Sequence, residues 1–157
     1  MIETIPLPTT DDPADHAFWQ GCLDSQLLIQ SCNDCGHVQH PPRAMCPMCQ
    51  SMELGWNRAS GKGTIWSYTI PHAPLLPAFA EIAPYIVAVI MPDDFPGLRI
   101  VGALADPGGN SIGGIDPGTV AIGMSVRLTF VQLADDVALP CWFPAEAGIT
   151  WEKEKQQ

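Results

Sequence analysis

Four cysteines, arranged as two Cys-x-x-Cys pairs, are the residues whose type and spacing most directly indicate chemistry. Cys32 and Cys35 form the first pair, and Cys46 and Cys49 form the second after a gap of ten residues. Each pair can place two sulfurs on one side of a tight turn, and two facing turns supply four thiolates at the corners of a tetrahedron. Because paired motifs of this kind are typical of structural zinc sites, all four cysteines are predicted to be metal ligands.

A site closed by four protein ligands leaves no open position for a substrate, so its metal is predicted to hold structure. Four thiolates also bind iron, and the sequence leaves zinc and iron open. Two disulfides or a thioredoxin-like redox pair are the disfavoured alternatives, since neither a secretion signal nor a βαβ pattern accompanies the motifs. His37 and His40 lie between the pairs and are interpreted as loop residues, because four cysteines already complete the site.

The rest of the chain shows no catalytic set. Serine-hydrolase, zinc-peptidase and phosphate-loop motifs are all missing from the sequence. His72, in a proline-rich segment, is the best single candidate for chemistry, and Arg43 is a second isolated candidate. Both are interpreted as ordinary loop or surface residues, so no catalytic residue is predicted.

Composition limits the classes of partner. The chain has 157 residues, a net charge of −10 and no run of Lys or Arg, which argues against nucleic acid and anionic membrane surfaces. No apolar run reaches membrane-spanning length, and the first residues do not resemble a signal peptide. Two further cysteines, Cys22 and Cys141, fit a reducing compartment, so a cytoplasmic location is predicted.

The elements that must position the cysteines begin after a flexible arm at residues 1–11. A helix is predicted from residue 14 to about residue 26, with Asp12 as its N-cap. Phe18 and Trp19 lie on one face of this helix, either as a core stripe or as a surface for a partner. A strand at residues 27–31 then leads into the first cysteine pair, and residues 12–60 are predicted to form one domain.

The second half changes to strands separated by Gly and Pro, 14 and 16 of which occur in the whole chain. A barrel domain is predicted at residues 61–146, with its own core, followed by a tail at residues 147–157. The predicted strands are 64–70, 85–91, 98–105, 124–133 and 138–143. A long irregular loop is predicted at 71–84, and a helical turn at 119–122. Five strands with a helical turn between the third and fourth predict an OB-fold barrel, with a sandwich as the alternative.

The order of several motifs resembles a known family. The motifs are Phe18-Trp19, Leu28-Ile29-Gln30-Ser31-Cys32-x-x-Cys35-Gly36, Pro41-Pro42-Arg43, Cys46-Pro47-x-Cys49, Trp56, Ser60-Gly61-x-Gly63, Ser67-Tyr68-Thr69, Pro84-Tyr85-x-Val87-Ala88, Ile122-Gly123-Met124-x-Val126 and Phe143-Pro144. Together they resemble the DUF35 family, over about residues 12–145. The resemblance implies a mainly β fold, in which an N-terminal helix and a rubredoxin-like zinc ribbon precede a five-stranded OB-fold barrel.

The resemblance also implies a partner. Members of this family associate with thiolase-like enzymes, including thiolases, acyltransferases and steroid side-chain aldolases, and the partner carries the catalytic residues. The chain is therefore expected to be an accessory subunit in a hetero-oligomer that helps to shape a shared acyl-CoA site. The alternatives are a stand-alone acyl-CoA hydratase or thioesterase and a nucleic-acid-binding OB-fold.

Overall fold

The computed structural model describes residues 5–145 of the chain. The predicted tail at 147–157 and the first four residues of the predicted arm lie outside the described residues. Helix α1 (His16–Leu23) is shorter than predicted. Its N-cap is Asp15, so the prediction of Asp12 as the N-cap is wrong. The Asp12 Oδ1 atom instead accepts a hydrogen bond from the backbone N–H of Ala14 at 2.8 Å, in the turn that precedes the helix. The helix ends early because Ser25 adopts a left-handed backbone, with a φ of 56°.

Three strands, β1 (Leu28–Cys32), β2 (Val38–Gln39) and β3 (Leu54–Arg58), form an antiparallel sheet in the order β2-β1-β3. The prediction of a strand before the first cysteine pair is confirmed, displaced by one residue. Buried Gln39 donates through its side-chain amide to Gln30, and the same Gln30 oxygen accepts the backbone N–H of Arg43 at 2.8 Å. The loop between the two cysteine pairs is thereby attached to the sheet.

The second sheet contains five antiparallel strands in the order β6-β5-β4-β7-β8. Its strands are β4 (Lys62–Thr69), β5 (Val87–Pro92), β6 (Ile100–Ala103), β7 (Ser125–Ala134) and β8 (Val137–Pro144). Leu104, just after β6, forms a parallel bridge with Trp142 of β8, and Ala105 donates to the Trp142 carbonyl at 2.9 Å. The bridge closes the sheet in the connectivity of an OB-fold, so the predicted barrel is confirmed and the sandwich alternative is wrong.

Two connections differ in detail from the sequence prediction. The 71–84 segment contains a short helix, α2 (Pro77–Glu81), and is therefore not irregular throughout. Pro77 suits the first helical position, and Ala78 is buried. A 3₁₀ turn, Pro117–Thr119, lies between the third and fourth barrel strands, two residues earlier than predicted, and the Asp116 side chain caps it.

The helix and the barrel share one hydrophobic core, so the prediction of separate cores is wrong. Phe18 and Cys22 of α1, and Leu27 and Ile29 around the start of β1, belong to the same buried cluster as the barrel interior. The barrel residues of that cluster include Ile65, Ile86, Ala88, Ile90, Ile100, Leu104, Val126 and Trp142. Burial of α1 against the barrel follows from its short length, because so short a helix is not stable without tertiary packing.

The structure has no helix, within residues 5–145, with the length and apolar character that crossing a membrane requires.

The shared core predicts that Phe18→Ala destabilises the whole chain. Phe18 is only 5% exposed, and truncation of a buried Phe lowers the free energy of unfolding by about 3–5 kcal/mol. We expect circular dichroism and tryptophan fluorescence to follow one denaturant transition at a lower midpoint. Leu7→Ala, at a residue that is 48% exposed, is the control and should leave the midpoint nearly unchanged. Loss of helix signal with an unchanged barrel transition would contradict the shared core.

Candidate metal centre

Each cysteine pair forms a knuckle with the same backbone hydrogen bonds. The Cys32 N–H donates to the His37 carbonyl at 2.9 Å, and the Cys32 carbonyl accepts from the Gly36 N–H at 2.9 Å. In the second knuckle the Cys46 N–H donates to the Ser51 carbonyl at 2.8 Å, and the Cys46 carbonyl accepts from the Gln50 N–H at 3.0 Å. The two turns therefore present their sulfurs in matching ways.

A left-handed residue ends each knuckle. Gly36 has a φ of 74° and Gln50 has a φ of 62°. Glycine tolerates this conformation, whereas a residue with a Cβ atom is strained in it. The first knuckle therefore has the residue type that its turn requires, and the second holds a strained one.

The two knuckles face each other and bring the four predicted ligands together. The Cys32 and Cys49 sulfurs lie 3.5 Å apart, and the Cys35 and Cys46 sulfurs lie 3.6 Å apart. All four sulfur atoms lie within 4.8 Å of one another. Four sulfurs at such separations can surround one tetrahedral ion, so the cluster has the arrangement of a structural metal site.

The thiols in this cluster have divergent acidities. The backbone N–H of Cys35 is the largest influence on the Cys32 thiol and lowers its pKa to about 7. The N–H of Ser51 also favours the Cys49 thiolate, but the neighbouring sulfurs outweigh it and raise the pKa of Cys49 to about 12. Crowded thiols cannot all ionise without a compensating positive charge, and a bound cation supplies that charge.

Contacts between the knuckles fix their separation. The Asn33 N–H donates to the Glu53 carbonyl at 2.8 Å, and the Ser51 hydroxyl donates to an Asp34 carboxylate oxygen. The Asn33 side chain also packs over Gly55, where an added Cβ atom would lie 2.7 Å from its Oδ1 atom. The chain holds the four sulfurs near each other through these contacts and through the β1–β3 sheet.

The other cysteines and histidines take no part in the cluster. Cys22 and Cys141 are buried free thiols, and burial raises the pKa of each to about 12, so both are expected to be inert. His40 packs against the Phe18 ring with 5.5 Å between centroids, and burial lowers its pKa. His37 lies beside the first knuckle outside the sulfur cluster, in agreement with the prediction that it is a loop residue.

The structure separates the two isolated candidates for chemistry. Arg43 lines a cavity of about 600 Å³ between the inter-knuckle loop and the β5–β6 turn, together with His37, His40 and Phe95. His72 is exposed and is not part of this cavity. The described residues thus do not combine Arg43 and His72 into a catalytic group.

Phe18 and Trp19 occupy core positions. Phe18 is buried, and Trp19 packs against the shared core with its indole nitrogen enclosed and without a hydrogen-bond partner. The exposed tryptophan is Trp66 of β4, which is 54% exposed and has the Arg99 guanidinium 4.9 Å from its ring centroid. Trp66 follows buried Ile65, and the alternating pattern of the strand is the sequence signal that points it outward.

A paired-knuckle metal ribbon attached to a five-stranded OB barrel defines the class of the protein, and comparison with known proteins identifies the family. The model described as "ChsH2, rubredoxin-like zinc ribbon domain" matches residues 19–54. The model described as "ChsH2, C-terminal OB-fold domain" matches residues 56–131. A DUF35 domain-containing scaffold protein of Methanocaldococcus jannaschii is 35% identical over 121 residues, which cover 75% of this chain and 77% of the relative. The chain belongs to the DUF35 family.

Two further similarities concern subunits of enzymes. A probable enoyl-CoA hydratase alpha subunit of Thermomonospora curvata is 35% identical over 132 residues. Those residues are 83% of this chain, but the chain spans only 38% of the length of that relative. Among solved structures, a chain of the "Ltp2-ChsH2(DUF35) aldolase" is 29% identical with a TM-score of 0.75, and the match covers 88% of this chain and all of the other.

The left-handed turn at the first knuckle predicts a conformational cost for Gly36→Ala. An added Cβ atom would meet nothing within 4 Å, so the φ of +74° is the sole source of strain. We expect the free energy of unfolding to fall by about 1 kcal/mol. Gly97→Ala is a matched control, because this glycine also has open space and lacks a positive φ, and its effect should stay within about 0.5 kcal/mol. Equal effects of the two substitutions in denaturant titrations would contradict the assignment.

Proposed function

We propose that this protein is an accessory subunit that docks on a thiolase-like acyl-CoA enzyme and contributes to a shared acyl-CoA site. The observation that carries the proposal is the structural match to one whole chain of the Ltp2-ChsH2(DUF35) aldolase. The scaffold name of the archaeal relative supports the same role. In this proposal the partner supplies the catalytic residues of a thiolase, acyltransferase or aldolase reaction, and the present chain is non-catalytic or co-catalytic.

An exposed apolar surface on the barrel is the proposed docking site. Trp66 and Val101 are 54% and 64% exposed, and Ile122 is 67% exposed. The Gly123 N–H donates to the Ile65 carbonyl at 2.8 Å. This hydrogen bond joins the chain neighbours of Ile122 and Trp66 and so brings these two residues near each other. Aromatic and Arg side chains are frequent anchors at protein interfaces, so the Trp66–Arg99 pair is the proposed centre of this surface.

We propose that Cys32, Cys35, Cys46 and Cys49 bind one structural zinc ion. The close sulfur cluster and the match to a zinc-ribbon model support the site, and iron is the alternative ion. We also propose that the ribbon at 12–60 and the barrel at 61–146 are separate domains joined by a common core, as the two family matches suggest. The free thiols of Cys22 and Cys141 support a reducing cytoplasm as the proposed compartment.

Metal analysis tests the proposed site. The purified protein should contain one zinc ion per chain with sulfur at about 2.3 Å, by elemental analysis and X-ray absorption. Cys46→Ser should lose most of the metal and accelerate amide exchange in residues 30–56, because one thiolate ligand is missing. Cys22→Ala, which removes a buried thiol outside the cluster, should keep the metal. A metal-free wild-type protein purified under reducing conditions would refute the proposal.

Co-purification with a thiolase-like partner tests the docking surface. Trp66→Ala should weaken the complex by about 2 kcal/mol, roughly 30-fold in Kd, if Trp66 is an interface anchor. The control is Leu7→Ala, which removes an exposed apolar side chain near the beginning of the sequence. An unchanged Kd for Trp66→Ala would exclude this surface from the interface.

Activity assays separate the proposal from its two rivals. The isolated chain should not turn over acyl-CoA substrates, and addition of the partner should restore or raise activity in a larger complex. Turnover by the isolated chain would instead indicate a stand-alone hydratase or thioesterase. Salt-dependent binding of single-stranded DNA would indicate a nucleic-acid-binding OB-fold.

A further inference from the structure

Three basic side chains converge on one cavity of about 530 Å³ at the junction of the ribbon and the barrel. They are Arg58 at the end of β3, Lys62 at the start of β4 and Arg127 of β7. The whole chain has only seven Lys and Arg residues and a net charge of −10. Because three of these seven cations line one cavity, the cavity is a local positive centre on an acidic protein.

The register of the barrel places two of these charges directly opposite each other. Lys62 and Arg127 are partners in the antiparallel β4–β7 pair, so their side chains leave the same face of the sheet. Like charges at such positions are destabilising, and an anion between them reverses the sign of the interaction. A negatively charged group bound between Lys62 and Arg127 would therefore offset their mutual repulsion.

No carboxylate is found among the described residues that line the cavity. Two acidic residues on nearby loops have other partners. An Asp94 carboxylate oxygen accepts the N–H of Ser60. Asp106 accepts the N–H groups of Gly108, Asn110 and Ser111 at 2.7–2.8 Å within its own loop, and these hydrogen bonds help to lower its pKa. Both carboxylates therefore have hydrogen-bond partners of their own, and neither lines the cavity.

The walls of the cavity combine backbone and apolar surface with the charges. Gly61 forms part of the lining, and a Cβ atom there would lie 3.1 Å from the Leu128 Cβ atom, so a side chain at this position would crowd Leu128. Phe130 and Phe143 are half-buried and contribute aromatic surface to the same cavity. Basic side chains can bind phosphate groups, and aromatic side chains can pack against a planar base. The lining therefore suits a ligand that contains both.

We propose that this cavity is a binding site for a phosphate-bearing ligand, with Arg58, Lys62 and Arg127 as the residues that bind the phosphates. The identification of the ligand as the nucleotide end of coenzyme A rests on the proposed function, and the site itself does not. Lys62 and Arg127 clamp the anion between β4 and β7, and Arg58 approaches it from the ribbon. The cavity thereby joins the ribbon and the barrel through the ligand.

Nuclear magnetic resonance of the isotope-labelled full chain tests the site. Coenzyme A, adenosine 3′,5′-bisphosphate, pyrophosphate and adenosine are titrated separately at constant ionic strength. The amides of residues 58–62 and 127–130 should shift saturably with the phosphate-bearing probes and stay unchanged with adenosine. Tighter binding of coenzyme A than of pyrophosphate, with added shifts near Phe130 and Phe143, would identify a nucleotide-type ligand, and equal binding would identify a small phosphate anion.

Charge-removing variants make the result specific. Lys62→Gln and Arg127→Gln should each weaken binding by about tenfold, because each removes a charge-assisted hydrogen bond. Arg43→Gln is the matched control, since Arg43 is exposed and lines a different cavity, and this variant should bind the phosphate probes as the wild type does. Both strand residues are exposed, so the variants should keep the wild-type circular dichroism spectrum.

Saturable shifts elsewhere, no shifts, or an equal weakening of phosphate binding by Arg43→Gln would overturn the site. Thermal melting provides a second readout, since pyrophosphate should raise the Tm of the wild type and have little effect on Lys62→Gln/Arg127→Gln. Partner binding is measured on the wild type and on the same double variant. If the wild-type chain forms the complex but binds no phosphate probe, the site is overturned and the proposed function stands. If the wild-type chain binds phosphate but forms no complex, the site is supported and the proposed function is not.

Discussion

The ladder between β1 and β3 is the constraint on which most of this structure depends. Five residue pairs run from Leu28 opposite Arg58 to Cys32 opposite Leu54. One end of the ladder leads directly into the first cysteine knuckle, and the Leu27 carbonyl accepts the Ala59 N–H just beyond the other end, at 2.9 Å. Because the side chains of a strand alternate in direction, the same short strand can send Ile29 into the shared core and carry a sulfur at its end.

This ladder also relates the metal centre to the cationic cavity. Cys32 and Arg58 lie at opposite ends, about 14 Å apart along the strand by the usual rise per residue. The knuckles restrain one end, and the core shared by α1 and the barrel restrains the other. Because Arg58 is carried by β3, the ladder that leads into the first knuckle also carries one of the three basic residues that line the cavity.

The clustering of the four cysteines and the positions of the barrel strands along the chain could be predicted from the sequence, because both depend on local chemistry. The spacing of Cys32, Cys35, Cys46 and Cys49 specifies two turns, and alternation in β7 specifies a strand with two different faces. The shared core was not accessible in this way, since the burial of Phe18 depends on which surface of the barrel α1 covers. The same limit applies to Lys62 and Arg127, which are distant in sequence and meet only through the register of β4 and β7.

The packing of Phe18 and Trp19 favours the core-stripe interpretation of helix α1 over the partner-facing one. A helix whose aromatic face is occupied by its own barrel cannot offer that face to another protein without partial unfolding. The outward side of β4 is not covered by the chain's own core. Trp66 is exposed there, while its neighbour Ile65 is buried and holds the strand in the core. Phe18 and Trp19 of the helix therefore stabilise the fold, whereas Trp66 leaves apolar surface of β4 exposed to solvent.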